Sequence, residues 1–397
     1  MGLRRRYALT VVLLAAYSLA YFHRAMTGVM EREVSELARE FGWDSQVLLS
    51  LLSSLYFYTY ALSQFAVGSL VDFLGIGRVA TPLLALMAFA TLLMVTPSPP
   101  TLMLSRVLVG FSAAVAFLSY QRSLSLYYRR DEQVRATAVA LVVGNVSAML
   151  ATYPLRLALD SLGLAYTSVA LSAVTLAIAL ATAYVGLRVL VDPGSGGGYL
   201  SRTFRNLREI LEDPHSWGVS VGALATYGTA LSFQSSWGQL LLSRCFGLDR
   251  VTVSYYLMVL AAVFVVTSPI AGYVSDRVLR RKPLLLLSAT SMAVSWTLLY
   301  ASYTVGSTPA AALSLALLGA SLGPHIVVSP MMREVRRPEA AATSIAFMNT
   351  VLFLGTALLN TVLPLLSPPQ AVLVSLAVTS AGAVAVKALT RETVRTA

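Results

Sequence analysis

The chain has 397 residues, 57% of them hydrophobic and 12% charged, with a mean hydropathy of +0.72. That is too little charge to cover a soluble surface of this size, so the chain belongs in lipid. The formal charge of +11 would suit nucleic acid, but the basic residues lie between long apolar stretches and are sorted by membrane side, which argues against a nucleic-acid partner. The single cysteine, Cys245, rules out an internal disulfide framework, and no Cys/His cluster has metal-ligand spacing, so no metal and no other cofactor is expected.

Apolar stretches are predicted at 7–29, 46–71, 79–96, 101–126, 136–158, 163–190, 216–243, 251–275, 283–305, 308–332, 340–365 and 370–390. Each approaches the length needed to cross a hydrocarbon core of about 30 Å. The fold class is therefore an all-α polytopic bundle of about twelve transmembrane helices. The first stretch has the basic start and apolar middle of a secretory signal, but it runs past any small-residue cleavage site into Tyr21, Phe22, His23 and Arg24, so it is read as a retained span. The loop 31–44 is acidic and helical in pattern, and it ends at Asp44 and Ser45, which suit an N-cap for the second span. Residues 1–190 are read as one six-helix bundle, 191–215 as a flexible cytoplasmic linker with a short surface helix, and 216–397 as a second six-helix bundle. With the amino terminus inside, 21 of the 29 Lys and Arg residues face the cytoplasm, and only Arg32, Arg39, Arg156, Arg244 and Arg250 fall outside. The positive-inside rule thus places both termini in the cytoplasm of a multi-pass plasma-membrane protein.

Internal duplication is visible in the turns. Gly68, Asp72, Gly75 and Arg78 follow the second span, and a reduced copy at Gly272 and Asp276 follows the eighth at one separation (68 + 204 = 272; 72 + 204 = 276). Asn145 and Asn349 repeat at the same distance (145 + 204 = 349). Alternating-access transporters are built from such repeats. At these residues the chain resembles the major facilitator superfamily of secondary transporters, over essentially its whole length. Gly68 to Arg78 is similar to the superfamily's loop motif after helix two, and Arg106 to Gly110 to its helix-four Arg-x-x-x-Gly motif. The resemblance implies two pseudo-symmetric halves that rock about a central site, and a monomer, since such a bundle needs no partner chain to form its pathway.

Physical roles follow for the turn. Gly68 is expected where two helices approach closely, Asp72 as an acceptor of amide hydrogen bonds at a helix N-terminus near 340–343, and Arg78 as a partner of Asp131 or Glu132. Together they would latch the cytoplasmic side and release it when the halves move. Asp276 lacks the downstream glycine, so the second copy is expected to be mainly structural.

Charges inside the spans point to the substrate. No Asp or Glu lies well inside any span, whereas Arg24 sits about 17 residues into the first, with Arg106 and Arg122 in the fourth. An arginine at helix centre disfavours insertion by about 2.5 to 3.5 kcal/mol, so it needs a partner, and an anionic substrate supplies one. Helical spacing puts Tyr17, Tyr21, Arg24 and Gly28 on one stripe, with His23 turned about 100° away. A guanidinium flanked by tyrosine hydroxyls suits a carboxylate or phosphate. The segment Tyr21 to Arg24 is similar to the first helix of the superfamily's organic-phosphate antiporters, in which the matching arginine binds phosphate. Those carry a second arginine in helix seven, where this chain has Tyr227, Gln234 and Trp237 and no basic residue, which favours a singly charged ligand. Tyr56, Tyr60, Gln121, Asn145, Gln234, Trp237 and Asn349 are candidates to line the cavity, on the helices that do so in the superfamily. Arg106 is assigned to gating or coupling. His23 and His325 are the intramembrane groups that titrate near neutral pH, so coupling to a proton as co-transported ion would involve them, the substrate or a loop carboxylate.

Three classes of function are compatible with this pattern. A secondary transporter for a small organic anion, a carboxylate or phosphorylated metabolite, is supported by Arg24. An efflux antiporter for drugs or other amphipathic compounds is the alternative, but the fifth span has Gly144 and Asn145 and later Tyr153 and Pro154 instead of the glycine-proline pattern of that branch. A membrane enzyme or a transporter-like sensor is the third; no nucleophile-base set, nucleotide loop or metal cluster supports catalysis.

Overall fold

Caps and prolines set where the helices begin, and a computed structural model describes residues 3–128, 130–189, 207–278, 280–336 and 341–393. The chain divides into two compact units, Met1–Ser201 and Arg202–Ala397. About twelve membrane-spanning helices make up the fold. Most of the expected linker lies outside the described residues.

In the first unit, α1 (Leu3–Ala25) continues through a 3-10 turn (Met26–Val29) into the short amphipathic α2 (Glu31–Glu40). Asp44 then accepts from the amides of Gln46 and Val47 at 2.8 and 2.9 Å, and α3 (Ser45–Leu74) starts where the sequence predicts. Gly75, at φ 88°, ends α3 and precedes α4 (Ile76–Leu92), a bend that a residue with a Cβ would strain. A capping box between Ser98 and Thr101, with proline in the first turn, opens α5 (Pro99–Tyr127). The next boundary differs from the expected fifth span of 136–158. α6 (Arg130–Leu150) stops early, and Pro154 lies in the first turn of α7 (Tyr153–Tyr184), where its missing N–H has no partner to lose. Tyr153 to Asp160 therefore belong to the following helix, which bends at Gly163.

In the second unit, α8 (Pro214–Ala223), α9 (Thr229–Ser232) and α10 (Gly238–Phe246) are joined by π-helical segments at Leu224–Gly228 and Phe233–Trp237. The predicted span 216–243 is thus one helical path with two widened turns. α11 (Arg250–Val278) and α12 (Lys282–Val305) follow. The tenth span is split: α13 (Thr308–Leu322) passes through a 3-10 turn at Gly323–Val327 into α14 (Val328–Glu334). α15 (Ala341–Val362) and α16 (Pro368–Leu389) complete the unit.

Polarity runs opposite to that of a soluble fold. Leu62, Leu180, Val266 and Val384 are well exposed, as lipid-facing residues are, while Ser53, Ser105, Ser112, Ser119 and many other serines are buried between helices. Several bind across helix pairs: Ser147 donates to the Ser18 carbonyl at 2.6 Å, Ser172 to that of Ala88 at 2.8 Å, and Ser288 to that of Ser321 at 2.6 Å. In lipid, where apolar burial gives no net drive between helices, such bonds and close small-residue packing hold the bundle together.

Candidate functional site

The predicted stripe on α1 is brought together in the first unit. Tyr17 donates its hydroxyl to that of Tyr21 at 2.9 Å, and their rings meet edge to face at 4.7 Å. The Arg24 guanidinium lies 3.5 Å from the centroid of the Tyr21 ring. It covers the ring face, and so differs from the expected position between two hydroxyls; a desolvated contact of this kind stabilises by about 2 kcal/mol. Gly144 on α6 supports the other side, because a Cβ there would stand 3.0 Å from three Tyr21 ring carbons. Arg24 itself is only 4% exposed.

A second pair adjoins the first. Tyr56 and Tyr60, one turn apart on α3, stack at 5.9 Å with planes 9° apart, and the Tyr56 hydroxyl donates to the Ala20 carbonyl of α1 at 2.9 Å. Arg106 on α5 approaches the Tyr56 ring at 4.9 Å and donates from Nε to the Leu52 carbonyl at 3.0 Å. The Arg-x-x-x-Gly motif gains a physical account here. Gly110 lies against the Tyr56 backbone and Thr59, where any Cβ would collide, so Arg106 and Gly110 together set the contact of α5 with α3. The same role expected of Gly68 is not seen within its unit: the nearest neighbour to a Cβ there is Leu118 at 3.7 Å, an ordinary contact.

His23 faces away from the stripe, as its spacing predicts, and is fully buried with Nε2 3.4 Å from the Thr91 hydroxyl. That hydroxyl already donates to the Met87 carbonyl at 2.8 Å, so it accepts from His23 Nε2–H and leaves Nδ1 bare. Gln121 is half-buried on α5, and Asn145 is buried on α6 beside Gly144.

In the second unit, the split tenth span faces the first π segment. Thr226 donates to the Gly222 carbonyl at 2.8 Å, so it receives the His325 Nδ1–H at 3.0 Å, and the His325 ring stacks on Tyr227 at 5.1 Å. Gln234 is buried, whereas Trp237 belongs to an aromatic core with Phe233 and Trp296 at 4.9 and 5.7 Å. Asn349 is half-buried on α15. Arg78 is exposed, while the side chains of Asp72, Asp276, Asp131 and Glu132, and residues 337–340, lie outside the described residues.

Arg156, which the sequence places at the outer-side end of the predicted span 136–158, is not among the predicted site residues. This side chain is fully buried near the start of α7, where Nη2 meets Glu33 Oε1 of α2 at 2.7 Å and Asp160 Oδ1 at 2.8 Å, and Nη1 donates to the Val29 carbonyl at 3.0 Å. The spacing of Arg156 and Asp160 was the available local signal. Beside this clasp lies a surface depression of about 390 Å³ lined by Glu33, Glu36, Glu40 and Asp160, with Arg32. Its acidic lining has the wrong sign for an anion, unlike the tyrosine-arginine cluster, which is the candidate site. Among the described residues no cluster of three or more potential metal ligands occurs.

Comparison with known proteins agrees with this architecture. Residues 7–359 match the Major Facilitator Superfamily. The chain is 25% identical to the Membrane sensor protein UhpC of Salmonella typhimurium, a match covering 89% of this chain and 83% of that one. It is 24% identical to UhpC of Escherichia coli, over 89% and 84%. A shorter stretch, 34% of this chain and 27% of the other, is 33% identical to the Probable anion transporter 3, chloroplastic, of Arabidopsis thaliana. Among solved structures, a bacterial homologue of the human lysosomal transporter Spinster, inward-facing and unoccupied, shares the fold with a TM-score of 0.73 over 97% of both chains at 16% identity.

Proposed function

We propose that this chain, a multi-pass membrane protein that belongs to the major facilitator superfamily, is a secondary transporter of a small organic anion across the cytoplasmic membrane, by alternating access and with both termini in the cytoplasm. The carrying observation is Arg24, a buried guanidinium held over the Tyr21 ring, which Tyr17 in turn bonds, in a chain without an acidic residue well inside any span. A ring face offsets part of the cost of burying the cation, and the planar guanidinium is a donor fork of the shape a carboxylate or phosphate accepts. The 33% identity of a segment to a protein named as an anion transporter supports the same class.

The test is uptake or exchange of labelled carboxylates and organic phosphates by protein reconstituted in proteoliposomes. Arg24→Ala should abolish flux, and Arg24→Lys should restore little of it, because an ammonium cannot reproduce the planar fork. Flux retained in Arg24→Ala would remove the basis of the reading. One observation favours a second reading: two of the relatives are named membrane sensor proteins. Saturable binding of an anion without flux, lost in Arg24→Ala, would assign reception in place of transport.

A further inference from the structure

Arg106 has a property that its helix-packing role does not explain. Its side chain is 4% exposed and is pinned by the Nε bond to Leu52, yet Nη1 and Nη2 have no hydrogen-bond partner among the described residues. Four N–H donors of a permanent cation are thereby left buried. Arg156, in the same unit, shows the contrast, with two carboxylates and a carbonyl around it.

No countercharge within reach is supplied by the neighbouring helices. Among the described residues Arg106 forms no ion pair, and between 45 and 127 the sequence holds one acid, Asp72. Asp72 is 20 residues along α3 from Leu52, about 30 Å at the rise of an α-helix. α1 contributes no acid at all. Tyr56 offers its ring, which attracts the cation but accepts nothing in the guanidinium plane. Leu52 and Arg106 each lie seven residues past the first residue of α3 and α5 (45 + 7 = 52; 99 + 7 = 106), about 10 Å below those helix starts. At that depth an unpaired guanidinium is costly, and an anion of matching size removes the cost.

We propose that Arg106 holds a small monovalent inorganic anion, of the chloride class, as a bound ion of the first unit separate from the Arg24 site. Both free nitrogens are enclosed, which selects a monatomic ion over an extended metabolite. The ion completes the charge balance of the α3–α5 contact, so the folded unit binds it and the unfolded chain does not.

The experiment uses the full-length protein purified in detergent, with thermal melting followed as sodium gluconate is replaced by sodium chloride or bromide at constant ionic strength. Binding to the folded state should raise the melting temperature by about 5 °C across a range from about 1 to 300 mM halide. Arg106→Gln should lose that response, and Arg24→Gln should keep it, which separates this site from the proposed substrate site. Equal melting in chloride and gluconate, or a chloride response that persists in Arg106→Gln, overturns the proposal. If Arg106→Gln does not fold, equilibrium binding of radioactive chloride to the wild type and to Arg24→Gln decides: displaceable binding retained in both supports it, and no binding, or binding lost with Arg24, refutes it. Stabilisation by carboxylates with none by halides also refutes it, since that would make Arg106 part of the substrate's site.

Discussion

Replacing Arg156 with methionine should loosen the end of the first unit at which α2 meets α7 by an amount the geometry sets. Arg156 donates to Asp160 at 3.1 and 2.8 Å, to Glu33 at 3.2 and 2.7 Å and to the Val29 carbonyl at 3.0 Å. Breaking a buried ion pair by removing one partner costs about 3 to 5 kcal/mol. The orphaned carboxylates are not equally buried, with Glu33 13% and Asp160 36% exposed, so Asp160 rehydrates readily and the lower figure, about 3 kcal/mol, applies. In a unit of about 200 residues each kcal/mol moves the melting temperature by about 2 to 4 °C, giving a fall of about 6 to 12 °C. Glu33→Gln should cost less, about 1 to 2 kcal/mol, because Arg156 keeps Asp160 and Val29. The assay is intrinsic-fluorescence melting of purified wild type and variants in one detergent at one scan rate. Arg156→Met melting within about 2 °C of wild type, or no more strongly than Glu33→Gln, would refute the assignment of this clasp as a main tie between α2 and α7.

Two further outcomes are expected. Gly144→Ala places a methyl 3.0 Å from the Tyr21 ring, which Tyr17 and Arg24 hold from other sides; overpacking of this kind costs about 1 to 3 kcal/mol, and in proteoliposomes it should raise KM more than it lowers the maximal rate, with unchanged KM counting against the site. Asp249 accepts from the amides of Val251 and Thr252 and from the Thr252 hydroxyl, and the hydroxyl bond above all holds its carboxyl below the ordinary value. A depressed carboxyl contributes stability above its unfolded pKa, about 3.9, and loses it as pH falls through the folded value. The melting difference between wild type and Asp249→Asn should therefore be constant from pH 5 upward and shrink below about pH 4; a difference that grows on acidification would contradict this.

How much was legible followed from how local each signal is. Most span positions, the Asp44 cap and the Tyr17–Tyr21–Arg24 stripe depend on composition or on spacing within one helix, and the folded chain reproduces them. The sixth helix was misplaced because Tyr153 to Asp160 are apolar enough to extend the fifth; only the paired breaks at Ala151–Thr152 and Pro154 mark the boundary. Arg156 received no predicted partner since Glu33 lies 123 residues away, a pairing that no periodicity encodes. Gly68 and Gly110 look alike in sequence, yet only Gly110 meets another backbone within its unit. The buried, unbonded Nη1 and Nη2 of Arg106 depend on how α5 packs against its neighbours, which no spacing within one helix encodes.

The two π segments of the seventh span bear on every comparison drawn through it. Each widened turn accommodates one residue more than an α-helical turn, and one residue is worth about 100° of rotation about the axis. Past Gly228, and again past Trp237, the face a residue presents is offset from the one a regular wheel assigns, so a relative without these segments aligns in letters but not in azimuth. Positions such as Gln234 and Gln239 therefore cannot be matched to a relative's by counting along the helix. The lack of positive charge in this span is immune to such rotation: from 216 to 243 there is no Lys or Arg to turn toward any face.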